Sequence, residues 1–110
     1  MNKSALQNRG IEQNRMSPSE IEQAVAHIVR KRLGDRYRIF LFGSRARGTA
    51  RPSSDYDIGV EGPAVVPFSI LARIESDIED LPTLATIDVV DMSSASERLT
   101  LSARAAAKEL

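Results

Sequence analysis

Residues 37–60 read YRIFLFGSRARGTARPSSDYDIGV, and the fold follows from how this stretch is parsed. Tyr37 to Phe42 is a short β-rich apolar run that stops at Gly43, which predicts a buried strand. The basic, small-residue segment that follows has room for a short helix from Ser44 to about Thr49 before a Pro-Ser-Ser turn. Asp55 to Val60 then alternates. Asp55, Asp57 and Gly59 fall on one face and Tyr56, Ile58 and Val60 on the other, the period of a second strand. Gly62-Pro63 closes it.

On the N-terminal side, Ser17 is placed to cap a helix, Pro18 suits its first position, and Glu20 completes a capping box. Ile21, Ala24, Val25, Ile28 and Leu33 recur at helical spacing until Gly34, which predicts a helix over 18–33. Residues 1–16 are polar and unpatterned and read as a disordered or partner-dependent arm, leaving 17–110 as one domain. On the C-terminal side, Pro67 opens an amphipathic helix with Leu71, Ile74, Ile78 and Leu81 on one stripe. Thr86 to Asp91 is a third strand. Ser94 and Glu97 form a second capping box, from which an Ala-rich helix is expected over Leu99–Leu110. Helix, strand, short helix, strand, helix, strand, helix is the order of an α/β fold with a small mixed β-sheet flanked by helices.

The composition narrows the chemistry. A chain of 110 residues, 42% hydrophobic and 27% charged, is enough for one domain with a modest core. No apolar run approaches a membrane span, and the N-terminus lacks the apolar stretch of a secretory signal. The absence of Cys excludes disulfides, thiol nucleophiles and Cys-ligated zinc, and permits a cytoplasmic location. A single His, His27, excludes sites that need two imidazoles. Aromatic residues are only 5%, with no Trp, which argues against a base-stacking platform. The zero net charge conceals an asymmetry. Residues 1–54 carry eleven Lys/Arg against four acids, a net +7, and residues 55–110 carry the balancing −7. Such a basic half suits phosphate or an acidic partner, and an acidic half suits a metal or a basic partner.

Three features can carry chemistry. Gly43-Ser44 ends a strand and opens a short helix, so a ligand can approach the backbone and find free N–H groups beside a hydroxyl. Gly-Ser is also an ordinary turn. Asp55 and Asp57, two apart on one strand, have α-carbons about 7 Å apart on the same face. Carboxylates so placed repel each other, and a cation between them relieves the repulsion. A solvent-facing strand would also accept two acids. Asp88 stands between Ile87 and Val89 in an apolar strand, where an unpaired buried carboxylate would cost several kcal/mol, about the effective penalty for a buried ion. Asp91 points the other way. If the third strand lies beside the second, Asp88 completes a cluster of three carboxylates suited to two-metal phosphoryl or nucleotidyl transfer.

Gly43-Ser44, then Asp55-Tyr56-Asp57, then a later strand bearing Asp88, resembles the nucleotidyltransferase superfamily typified by DNA polymerase beta. The wording GSRARGTARPSSDYDIGV is most similar to the minimal nucleotidyltransferases, called MNT, over about residues 18–110. These are often encoded beside a HEPN-domain protein as an antitoxin–toxin pair. The resemblance implies that Gly43 and Ser44 hold the β- and γ-phosphates of a nucleoside triphosphate such as ATP, with Arg45 or Arg47 reaching the triphosphate. It implies that Asp55, Asp57 and Asp88 are catalytic and bind two Mg²⁺ ions, and that Asp88 acts as general base toward the attacking hydroxyl. The implied acceptor is a tyrosine of a HEPN toxin, which becomes AMPylated and inactive. Two other readings are open: an antitoxin that occludes its partner without catalysis, and transfer to a small molecule or an RNA end. Acceptors of that second kind are usually held by a further domain. On size alone the acceptor surface is therefore expected from a partner or from an oligomer. His27 is expected to pack or lie on the surface, Tyr37 and Tyr56 to be core or strand residues, Arg51 to face solvent or a partner, and Arg30-Lys31-Arg32 to suit the C-terminal dipole of their helix.

Overall fold

The protein is described by a computed structural model over residues 16–51, 54–93 and 107–110. Its first element, α1 (Pro18–Leu33), has the predicted boundaries. The Glu20 N–H donates to the Ser17 hydroxyl at 3.1 Å and the Ser17 N–H to the Glu20 carboxylate at 2.8 Å, so the capping box is formed in both directions. Ile21, Val25, Ala26 and Val29 occupy the buried stripe.

The chain then alternates β1 (Arg38–Phe42), α2 (Ser44–Arg47), β2 (Tyr56–Glu61), α3 (Phe68–Glu79), β3 (Ile87–Asp91) and β4 (Lys108–Glu109). The four strands form one mixed sheet in the order β3-β2-β1-β4. β1 is antiparallel to both β2 and β4, whereas β2 and β3 are parallel and joined through α3, the crossover a parallel pair requires. Ile39, Leu41, Ile58, Val60 and Val89 point from the sheet into a core shared with the α1 stripe and with Ile74 and Ile78 of α3. Burying each such side chain contributes roughly 1.5–3 kcal/mol. Arg32 grips Asp77 through two hydrogen bonds of 2.9 and 3.2 Å and fastens α1 to α3.

Several boundaries differ from the sequence reading. Tyr37 lies just outside β1, whose pairing with β2 begins at Arg38 opposite Glu61, and its hydroxyl donates to the Ala64 carbonyl at 2.8 Å. α2 stops at Arg47 rather than Thr49, since Gly48 turns left-handed and sends its N–H back to the Ser44 carbonyl. β2 begins at Tyr56, so Asp55 precedes the strand instead of opening it.

The C-terminus needs a larger correction. The second capping box and most of the expected helix lie outside the described residues, but Lys108–Glu109 form a strand, with Phe40 opposite Glu109 and Leu41 opposite Lys108. An open strand edge supplies backbone partners that outweigh local helix propensity. Of the expected N-terminal arm, residues 1–15 are outside the described residues, and Met16 packs against the core.

Candidate active site

The site is built where β1 ends. Gly43 has φ 74° and ψ −155°, a backbone region open almost only to glycine. A β-carbon at Gly43 would also collide with the Asp57 carboxylate. The glycine therefore does two things: it turns the chain into α2, and it lets the acid of the neighbouring strand lie against the backbone. Both Ala46 and Arg47 send their N–H groups to the Gly43 carbonyl at 3.1 Å. The N–H groups of Ser44 and Arg45 stand in the first turn, where a helix supplies no acceptor of its own.

Strand pairing sets two of the three acids, Asp57 and Asp88, opposite each other. Phe42 of β1 and Asp88 of β3 are the register partners of Asp57 on the two sides of β2. Asp57 is half-buried, while Asp55 and Asp88 are exposed. Burial, then the charge of Asp88, then that of Asp55, push the Asp57 carboxyl above the usual carboxylate range, and Arg47 partly opposes them. One expectation is overturned. Asp88 is not an acid stranded in the core; it faces outward on the Asp57 side of the sheet. The buried acid of β3 is Asp91, only 7% exposed, which accepts hydrogen bonds from the Val66 N–H at 2.7 Å and the Ser93 N–H at 2.9 Å. The loop before α3 covers that end of β3, which the alternation of residues could not reveal.

Among the described residues no three acidic or histidine side chains are already gathered into a metal cage. The donor chemistry is of the kind Mg²⁺ takes: the side chains are hard carboxylate oxygens, the charges of Asp88 and Asp55 on Asp57 are ones a cation would offset, and glycine clears the space at its flank.

The two arginines of α2 go different ways. Arg47 is exposed, and its charge acts on Asp57. The Arg45 guanidinium turns inward, 4.0 Å above the Tyr56 ring centroid, and donates to the Ser54 carbonyl at 3.0 Å. The Tyr56 hydroxyl pKa is raised by burial and partly lowered by Arg45. Sequence reasoning treated Arg45 and Arg47 alike. Their separation by two helical positions, about 200° of rotation, was the available signal. A groove of about 800 Å³ runs past Met16, Ile21, Ser54, Tyr56 and Leu84 and does not include Asp57 or Asp88 in its lining. Volume alone would have missed the acids.

With this geometry in place, the chain belongs to the polymerase beta nucleotidyltransferase family, whose sequence profile matches residues 23–110. Within that class it is similar to a protein assigned as a minimal nucleotidyltransferase, at 30% identity over 80% of this chain and 87% of the other, with a TM-score of 0.62. It is similar also to a chain of a toxin–antitoxin crystal structure with AMP-PNP, at 25% identity over 80% and 70% of the two chains, TM-score 0.62. A chain in the structure of a tri-AMPylated Shewanella oneidensis HEPN toxin in complex with MNT antitoxin shares the fold, at 22% identity over 83% of this chain and 69% of that one, TM-score 0.63. No curated protein sequence matches the chain. Among the described residues no helix is long and apolar enough to cross a membrane.

Proposed function

We propose that this chain is a cytoplasmic, Mg²⁺-dependent nucleotidyltransferase that moves AMP from ATP to a tyrosine hydroxyl of a HEPN-domain toxin, as that toxin's antitoxin. The observation that carries the reading is the register of Asp57 with Asp88 on parallel strands, beside a glycine that admits the Asp57 carboxylate. The AMPylated toxin and the AMP-PNP complex among the structural neighbours support the choice of nucleotide and partner.

In this reading Gly43 and Ser44 present backbone N–H groups and a hydroxyl to the β- and γ-phosphates, and the exposed Arg47 adds a cation. Arg45 is committed to Ser54 and Tyr56 and is not assigned to the triphosphate. Asp55, Asp57 and Asp88 would hold Mg²⁺, which when bound neutralises charge on the attacking and leaving oxygens. Asp88, outward on the strand next to Asp57, takes the proton of the attacking hydroxyl. That oxygen forms its bond to the α-phosphorus as the bond to the bridging oxygen breaks, and pyrophosphate leaves.

The test is the intact mass of the protein encoded beside this one after incubation with this chain, Mg²⁺ and ATP, with Asp57→Asn in parallel. A gain of one or more AMP units, absent with the variant, is expected. A stable complex formed by both versions with no mass change would replace transfer by occlusion. Labelling of an RNA end or a small molecule instead would keep the chemistry and change the acceptor.

A further inference from the structure

We propose that Arg45 is a positioning residue that locks the Gly43–Ser44 turn to the Asp55–Asp57 segment, fixing the two halves of the site relative to each other. The inference rests on the transferase reading only in treating those segments as one site.

Arg45 leaves α2 on the side away from Arg47 and grips the chain at two points that bracket Asp55. Its guanidinium edge donates to the Ser54 carbonyl at 3.0 Å, and its face covers the Tyr56 ring with 4.0 Å to the centroid. Only a planar, delocalised cation can stack with its face and donate from its edge in one pose. Tyr56 is itself anchored in the core: it is 2% exposed, and its N–H donates to the Thr86 carbonyl at 2.8 Å, two residues before Asp88. One side chain of α2 thus reaches the backbone before Asp55 and the ring after it, and through Tyr56 the start of the strand that bears Asp88.

At the far side of the same turn, Gly43 lies against the Asp57 carboxylate. The turn and the acids are therefore joined at two separated points, which fixes orientation as well as distance. Arg45 acts by placement. The cation whose charge bears on Asp57 is Arg47. Misplacement of reacting groups by about 1 Å can cost roughly 100-fold in rate.

The test compares wild type with Arg45→Met, which can cover the ring but cannot donate, and Arg45→Lys, which keeps the charge without the planar fork. Arg73→Met, on exposed α3 surface, is the control. Two readouts are needed: amide hydrogen exchange of the nucleotide-free protein, and kcat and KM for ATP in the transfer assay. Arg45→Met should speed exchange at residues 54–57 by about tenfold or more while Val60 and Ile74 keep their protection. It should also lower kcat by about 100-fold with little change in KM. Arg45→Lys should recover only part of either effect, and Arg73→Met should match wild type. Unchanged exchange at 54–57 overturns the proposal whether or not any transfer is seen. So does loss of protection throughout the core, or an unchanged kcat despite faster local exchange, or full recovery by lysine. Wild type that transfers nothing, while Arg45→Met still loosens 54–57 alone, sinks the functional reading and leaves the lock standing.

Discussion

At one end of the sheet Asp57 and Asp88 stand in register on adjacent strands, whereas at the other Arg38 meets Glu109 at 2.9 Å and Lys108 meets Glu22 at 2.9 Å. At the first, burial and then the charges of Asp88 and Asp55 raise the Asp57 pKa; at the second, hydrogen bonding and charge from Arg38 lower that of Glu109. Both ends hang on the same core, in which Ile39, Leu41, Ile58 and Val60 are buried. Hydrophobic packing and backbone register hold the acids together, and charge opposes them. The paired end is exposed, where ion pairs add little stability. Like charge is left facing like charge at the first end and is paired within the chain at the second.

The largest effect expected is at Asp57. Asp57→Asn should lower AMP transfer by on the order of 10³-fold, in the range for losing one charge-stabilising group of a site. The same change should raise the thermal midpoint of the nucleotide-free protein, because it removes the like-charge repulsion. A variant that is both inactive and less stable would break the comparison.

Gly43→Ala comes next, with a cost of about 1–3 kcal/mol for the backbone region alone and loss of Mg²⁺-dependent ATP binding as the carboxylate is displaced. Gly48→Ala meets no atom within 4 Å at φ 77°. It should cost only about 1–2 kcal/mol and leave ATP binding largely intact. Urea unfolding and calorimetric titration separate the two.

Acidification should act on the two ends with opposite sign. The Glu109 pKa is lowered in the folded protein, so its contribution is complete above the usual carboxylate range and is lost as pH falls through it. Asp57 is raised, so its penalty exists when it is ionised and is relieved as pH falls. Hydrogen exchange across the carboxylate range should therefore show the Leu110 amide, bonded to the Ile39 carbonyl at 2.8 Å, losing protection before the β2–β3 pairing does. Loss of both together would refute the contrast. The smallest effect belongs to Arg38→Met, which should barely move a urea midpoint and leave transfer unchanged.

Much of this contrast was legible in the residues. The capping box of Ser17 and Glu20, the strand that ends at Gly43 and the alternation around Tyr56 are local patterns, and local patterns survive folding. The pairing of Asp57 with Asp88 could be stated only conditionally, because α3 sets the register of a parallel pair. Asp88 and Asp91 lie on opposite faces of β3, and the loop at Val66 decides which of them is buried. β4 was read as helix because the free edge of β1 has no signature in residues 108–110. The charge asymmetry likewise suggested an outside partner. Part of it is answered within the chain, where Arg32 meets Asp77 and Arg38 meets Glu109 across the two halves.

The close approach of Gly43 to Asp57 also sets an order in which this site can be lost over evolutionary time. While Asp57 is present, any side chain at position 43 meets its carboxylate as well as an unfavourable backbone angle. Once Asp57 has been replaced by a smaller residue, only the angle remains. Decay should therefore pass through the acid first and the glycine second. A descendant that keeps Gly43 but has lost Asp57 would be an intermediate on that route, its glycine a relic of a contact that no longer exists.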